Sequence, residues 1–435
     1  MPSPTSLVLL AFLSSALAAP SIVDLHKLFP RQSSDLAVGS DAWKASYPSA
    51  QSTPTDIPQA WLDALNTAVA AGKIPNIVPA TMTNGWPSYS DGSDPSSAKI
   101  CHYTVGCVAS TDRINAPDGM MGVAQDDGPL APGVALVDFY NEKNISSTHF
   151  YIGSNVVYNV DVMQHAMTVP GQHFAVHTWT HPYMSSLTNA QVVAELGWTM
   201  KVIADVNGGK IPAWWRPPYG DVDNRVRAIA SEVFGLTTVI WNQDTADWTL
   251  GTTGKVADIT NNLQGFINGA KSPGLLILEH ELYTGCVDAF KSVYPSMVSQ
   301  GWDMRSIPDL WGENWYKNAV DESSAISNVG IVGSTNVTAS AATSASASSV
   351  ASASSAASSS YSAQASGSVS STSVSSMSGV SSSVRASSSA SARSTSASAF
   401  ASASAVSSTS GATFGVRTTL GLGAVALVVF IASLA

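Results

Sequence analysis

The 435-residue chain predicts an α/β domain, a parallel sheet or barrel with crossover helices, over residues 99–320. Short apolar runs alternate there with longer runs of helical period, and the chemically unusual residues fall at the ends of the predicted strands. Beyond about Gly333 the composition changes to Ser, Ala, Thr and Val with almost no charge, which marks the end of the globular part.

Residues 20–98 form a leader with one helical stretch, Trp61 to Ala71, stopped by Gly72 and Pro75 and carrying Trp61, Leu65 and Val69 four apart on one face; no chemistry is expected of it. In the main domain Met120 to Ala124, Ser147 to Ile152, His173 to His177, Thr238 to Trp241 and Leu275 to Leu278 read as strands. Val134 to Tyr140, Asn189 to Val206, Asp223 to Val233, Val256 to Gly269 and Asp288 to Gln300 read as helices. Repeated strand-helix order requires parallel pairing, and parallel α/β folds place function at the C-terminal ends of their strands.

Charged residues make up 11% of the chain and the net charge is −10, so no Lys/Arg stripe exists to neutralise nucleic-acid phosphates. Leu7 to Leu13 followed by Ala16-Leu17-Ala18 reads as a secretory signal peptide over residues 1–19. Residues 334–412 cannot bury enough apolar surface to offset their ordering entropy and read as a disordered, O-glycosylated stalk. About 75 such residues would reach roughly 230 Å extended against about 50 Å as a free coil. Residues 413–435 end in an uncharged apolar tail that reads as a lipid (GPI) attachment signal, with the site among the small residues Ser407 to Ala412; a retained membrane helix is the alternative. Together these signals predict a secreted protein tied to the membrane or wall by a lipid anchor alone, monomeric by default. Asn144 and Asn336 open glycosylation sequons. Cys101, Cys107 and Cys286 allow one disulfide, with Cys101–Cys107 and Cys107–Cys286 both open.

The domain is organised around Gly122-Val-Ala-Gln-Asp-Asp-Gly-Pro129, where Asp126 and Asp127 stand in a tight turn after a strand. Two carboxylates so close need a cation or an Arg to separate their roles, one holding a metal and the other free as a base. His177-Thr-Trp-Thr-His181 places two imidazoles four apart, the spacing that puts both on one face of a helical turn for a single metal ion. His173, four before His177, is a competing partner, but it falls inside the strand. Arg216-Pro-Pro-Tyr-Gly-Asp221 holds an Arg in a rigid segment, suited to keeping a carboxylate ionised. Asp244-Thr-Ala-Asp-Trp248 supplies carboxylates beside an indole, and Leu275 to Glu281 ends a strand in His280 between two acids, well placed for acid–base work.

In that order the motifs Asp-Asp-Gly-Pro, His-Thr-x-x-His, Arg-Pro-Pro-Tyr, Asp-x-x-Asp-Trp and Leu-x-His resemble the polysaccharide deacetylases of the NodB-homology type, carbohydrate esterase family 4, and with the secretion and anchor signals the fungal chitin deacetylases in particular. The resemblance covers about Cys107 to Pro308. It implies a distorted (β/α) barrel, one divalent metal ion, Zn²⁺ with Co²⁺ as the alternative, and hydrolysis of N-acetyl groups on N-acetylglucosamine polymers such as chitin. It also implies roles: Asp126 as general base, Asp127, His177 and His181 as metal ligands, Arg216 orienting Asp126, the Tyr219 N–H stabilising an oxyanion, Trp248 lining the acetyl pocket, and His280 as general acid with Asp247 its partner. The chain departs from the family at Ala124-Gln125, where Thr-Phe or similar is usual; the amide changes packing under the base but removes no reacting group.

Amide hydrolysis fits these residues on chemical grounds as well. The departing amine is a poor leaving group and needs a proton, while water must lose one. Two other readings have different consequences: a cell-wall glycan-binding protein without turnover, and a deacetylase of another acetylated polysaccharide. Intact Asp126, Asp127, His177, His181 and His280 speak against the first.

Overall fold

The computed structural model describes residues 36–333. The signal peptide, the stalk with Asn336, the Ser407 to Ala412 site and the apolar tail lie outside them. No helix among the described residues is long and apolar enough to cross a membrane.

The described chain starts with helices α1 (Asp41–Lys44) and α2 (Gln59–Ala70) and a hairpin of β1 (Ala80–Thr83) and β2 (Trp86–Tyr89). Then follow β3 (Met120–Gly122), β4 (Ala124–Asp126), α3 (Ala131–Lys143), β5 (Ser147–Tyr151), α4 (Gly153–Tyr158), α5 (Val160–Met167), β6 (Gln172–Val176), α6 (Asn189–Val206), β7 (Trp214–Trp215), α7 (Asn224–Phe234), β8 (Thr237–Thr238), β9 (Gln243–Asp244), α8 (Val256–Ile267), β10 (Leu275–Leu278), α9 (Thr284–Ser299) and β11 (Asp303–Arg305).

Two all-parallel sheets carry the domain, in orders β4-β5-β6-β7-β8 and β11-β3-β10-β9. They join where β3 runs into β4 and where Asp126 bridges to His280 beyond β10, and they curl into a distorted (β/α) barrel. Ala124, Phe150, Ala175, Trp214, Val239 and Leu276, drawn from neighbouring strands, fill its interior. Side chains alternate along each strand, so Val123 and Ile277 face outward to helices α3, α8 and α9.

The apolar run at Met120 is therefore two strands rather than one, one in each sheet. The expected strand Thr238 to Trp241 contracts to Thr237–Thr238, because the chain leaves the larger sheet there to enter the smaller one at β9. Sequence periodicity missed α4 and α5, too short to show a period, and β7, two tryptophans between prolines. Helix α6 spans the expected residues, with Thr188 and Gln191 forming a capping box. The leader is integral to the core: Trp43, Trp61 and Leu65 are buried in the cluster formed by α6 and α7. Cys101 pairs with Cys107, and Cys286 is free and buried. Asn144 ends α3 as an exposed residue with positive φ.

Candidate active site

The candidate residues sit at or just past the C-terminal ends of barrel strands: Asp126 ends β4 and Asp127 follows it, His177 follows β6, Arg216 follows β7, Asp247 comes after β9 and His280 after β10. The backbone is strained at this rim. Asp127, Thr178, His181, Tyr219 and Ala246 all have positive φ, a conformation costing non-glycine residues about 1–3 kcal/mol each and tolerated where the surroundings enforce it.

Asp126 points into the barrel, where its Oδ1 accepts a hydrogen bond from Arg216 at 2.8 Å. Both side chains are buried, and the guanidinium lies 4.4 Å above the Phe150 ring. Its backbone is pinned as well, the N–H donating to Glu279 O at 2.9 Å. Gln125 points the other way, against Tyr140 on α3, so the departure from the family pattern alters the layer behind the strand and leaves the cleft unchanged.

Asp127 Oδ1 lies 3.3 Å from His177 Nε2 and 3.2 Å from His181 Nε2. The two histidines are brought together by a loop rather than by the expected helical turn: positive φ at Thr178 and His181 folds the chain back until the rings are 4.9 Å apart. His177 Nδ1 donates to Arg216 O at 2.7 Å, which leaves Nε2 with a free lone pair toward Asp127. Burial pushes the Asp127 carboxyl up, but the imidazoles of His181, His177 and His280 outweigh it and hold the group well below the usual carboxylate range. These residues fit a divalent metal. Asp127 Oδ1 is buried without a well-formed hydrogen bond, and one ligand atom from each of Asp127, His177 and His181 lies within 4.8 Å of the others. His173 is no rival: it stays inside β6, bonded to Thr148 Oγ1 and the Trp315 carbonyl, with its pKa pushed down to about 3 by burial.

On the strand end bridged to Asp126, His280 Nδ1 donates to Asp247 Oδ1 at 2.6 Å, and the His280 backbone N–H donates to Asp247 Oδ2 at 2.8 Å. Burial lowers the His280 pKa, yet Asp247 above all, with Asp127 and Asp126, raises it to about 10. Tyr219 and Trp248 are both part-exposed at the rim. The Tyr219 ring lies 4.6 Å from His181 and 4.4 Å from Tyr183, and Trp248 shares the short turn Asp247–Gly251 with the partner of His280.

Two supporting residues had no readable signal. Glu195, buried on α6, accepts from Trp179 N (2.7 Å), Thr180 N (2.8 Å) and Thr180 Oγ1 (2.7 Å), and so holds the loop between the two histidines. Glu281 Oε1 accepts from Leu130 N at 3.1 Å, beneath the turn that carries Asp127, and its Oε2 faces His149 at 3.2 Å. An acid in a helical apolar run and one beside His280 look ordinary in sequence; only folding puts them under the loops.

The family pattern described as "Polysaccharide deacetylase" matches residues 113–239. "Chitin deacetylase 3" of Cryptococcus neoformans var. neoformans serotype D is 43% identical over 308 residues, covering 69% of this chain and 73% of the relative. "Chitin deacetylase 1" of Cryptococcus neoformans var. grubii serotype A is 32% identical over 354 residues, covering 74% of this chain and 72% of the relative. "Chitin deacetylase" of Amylomyces rouxii is 38% identical over 242 residues, covering 52% of this chain and 56% of the relative. With the parallel barrel and the paired carboxylate and imidazole groups at its rim, these likenesses show that the chain belongs to the polysaccharide deacetylases, carbohydrate esterase family 4.

Proposed function

We propose that this amide hydrolase removes N-acetyl groups from N-acetylglucosamine units of chitin, leaving chitosan and acetate. The observation that carries it is the pairing of two dyads, Asp126 held by Arg216 and His280 held by Asp247, beside the Asp127, His177 and His181 set, with Asp126 Oδ2 3.9 Å from His177 Nε2 and His280 Nε2 4.0 Å from Asp127 Oδ2.

A divalent cation bound there, Zn²⁺ by the two-imidazole, one-carboxylate donor set, supplies Lewis acidity to the amide carbonyl and to water. Asp126, held in place by the hydrogen bond from Arg216, takes a proton from the attacking water. The Tyr219 N–H donates to the oxygen on which negative charge develops. His280, protonated at neutral pH by the carboxylates around it, delivers a proton from Nε2 to the departing nitrogen, and Asp247 fixes the ring for that transfer. Trp248 offers an apolar face to the acetyl methyl. The apolar segment and small-residue site at the two chain ends support a place outside the cell, tied to its surface by a lipid anchor.

Acetate release from chitin oligomers by metal-stripped, Zn²⁺-restored and Asp126→Asn protein tests this. Metal-dependent release that falls by at least about 10³-fold in the variant supports the reading. No release from any chitin oligomer by folded, metal-loaded protein overturns the choice of substrate.

A further inference from the structure

The family pattern begins at residue 113, yet the segment before it reaches the active-site rim. His102 is fully buried between two catalytic loops, the one that follows His181 and the one that carries Tyr219. Thr104 donates to His102 Nδ1 through its N–H (3.3 Å) and its hydroxyl (2.9 Å), so the ring hydrogen resides on Nε2. Nε2 lies 3.1 Å from Ser185 Oγ and 2.8 Å from Asp221 Oδ1. Ser185 donates to both Asp221 oxygens, from Oγ to Oδ1 and from N to Oδ2, each at 2.8 Å. Ser185 is four residues past His181, and Asp221 is two past Tyr219.

The neighbouring residue completes the contact. Tyr103 donates from its hydroxyl to Trp241 O at 2.9 Å and from its N–H to Val222 O at 3.1 Å. Its ring covers Gly220, where a Cβ would come within 2.7 Å of it. The segment is held in shape by the Cys101–Cys107 disulfide, and Arg227 binds the Cys101 carbonyl.

We propose that His102, braced by the Cys101–Cys107 loop, is a positioning residue that sets the metal-ligand loop and the oxyanion-donor loop at their working separation. It touches no reacting atom. It adds a second donor to Asp221 Oδ1, which already accepts from Ser185 Oγ, so the buried carboxylate that joins the loops is held by the ring as well as by Ser185; removing the ring weakens this joint and leaves a cavity that the loops shift to fill. His181 and the Tyr219 N–H would then move relative to each other, which affects metal affinity and turnover more than the binding of distant sugar units.

The inference rests on the deacetylase reading of the cleft, and metal affinity tests it separately from acetate release. In the full chain, Zn²⁺ affinity by chelator competition, kcat, KM and Tm are compared for wild type, His102→Ala, His102→Gln, His102→Asn and Cys101→Ser/Cys107→Ser. The expected results are a roughly tenfold or greater loss of kcat and of Zn²⁺ affinity in His102→Ala, with KM nearly unchanged. Gln, whose amide can reach Ser185 and Asp221, restores most of both. Asn, which is too short, does not, and the serine pair gives a smaller loss in the same direction. Zn²⁺ affinity and kcat within twofold of wild type in His102→Ala, or a His102→Gln variant no better than Ala, overturns the proposal. If His102→Ala does not fold, Asn equal to wild type overturns it, and the order wild type, Gln, Asn in Zn²⁺ affinity supports it.

Discussion

Asp247→Asn tests the proposed role of His280 as general acid by removing the charge that most raises its pKa. Burial alone would lower the His280 pKa, and Asp247 is the largest influence raising it, toward about 10. Asn keeps an acceptor for Nδ1 but removes the charge, and its amide can satisfy only one of the contacts now made at 2.6 and 2.8 Å. Without the charge the largest influence raising the pKa is gone and burial is opposed by fewer carboxylates, so the pKa falls and a smaller fraction of the rings is protonated at pH 7.5. The sign follows from the role: a general acid works below its pKa and fails above it, so His280 sets the alkaline limb of wild-type kcat. A cation beside Asp127 draws that decline down somewhat from 10 in both proteins, so the informative quantity is their separation. We expect the alkaline limb of kcat to move at least two pH units toward acid in Asp247→Asn. Activity at pH 7.5 falls tenfold or more and partly recovers toward pH 5.5. The assay is acetate release from chitin oligomers across pH 5.5–10, with metal content checked at each end. An unmoved limb, or a uniform loss with no recovery on acidification, refutes the assignment of His280 as the acid that Asp247 charges.

Glu195→Ala removes the acceptor for three donors of the His177–His181 loop, two of them backbone. Leaving such groups unpaired costs about 1–3 kcal/mol each, less where water reaches Thr180, so Tm should fall by roughly 5 °C or more, with Zn²⁺ affinity down about 10-fold in chelator competition. Gly128→Ala should both destabilise and inactivate: a Cβ there would fall 1.9 Å from Glu281 Oε1 and 2.6 Å from Tyr151 Cε1, beside Asp127. Overpacking of this kind costs about 1–3 kcal/mol, and a denaturant midpoint together with acetate release would record it.

The sequence alone determined the α/β class, the chemical parts and the order in which strands deliver them. Strand-helix alternation is local, and Asp126-Asp127, His177, His181, Arg216, Asp247 and His280 are legible because reactive residue types at strand ends stand out against apolar runs. Adjacent residues in a turn and residues four apart are already near neighbours, so the Asp pair and the His pair are each legible without the fold, but Asp127 meets His177 only through the pairing of β4, β5 and β6. What joins Asp126 to Arg216 across 90 positions, His280 to Asp247 across 33 and His102 to Asp221 is barrel closure, a long-range event that no local pattern encodes. The same closure decided that Cys101 pairs with Cys107, that the histidines meet through a left-handed loop rather than a helix, and that Gln125 turns its back on the base. It also drew the leader, in sequence a plain helix and spacer, into the core beside α6 and α7, because Trp43 and Trp61 gain more by burial there than by remaining in water.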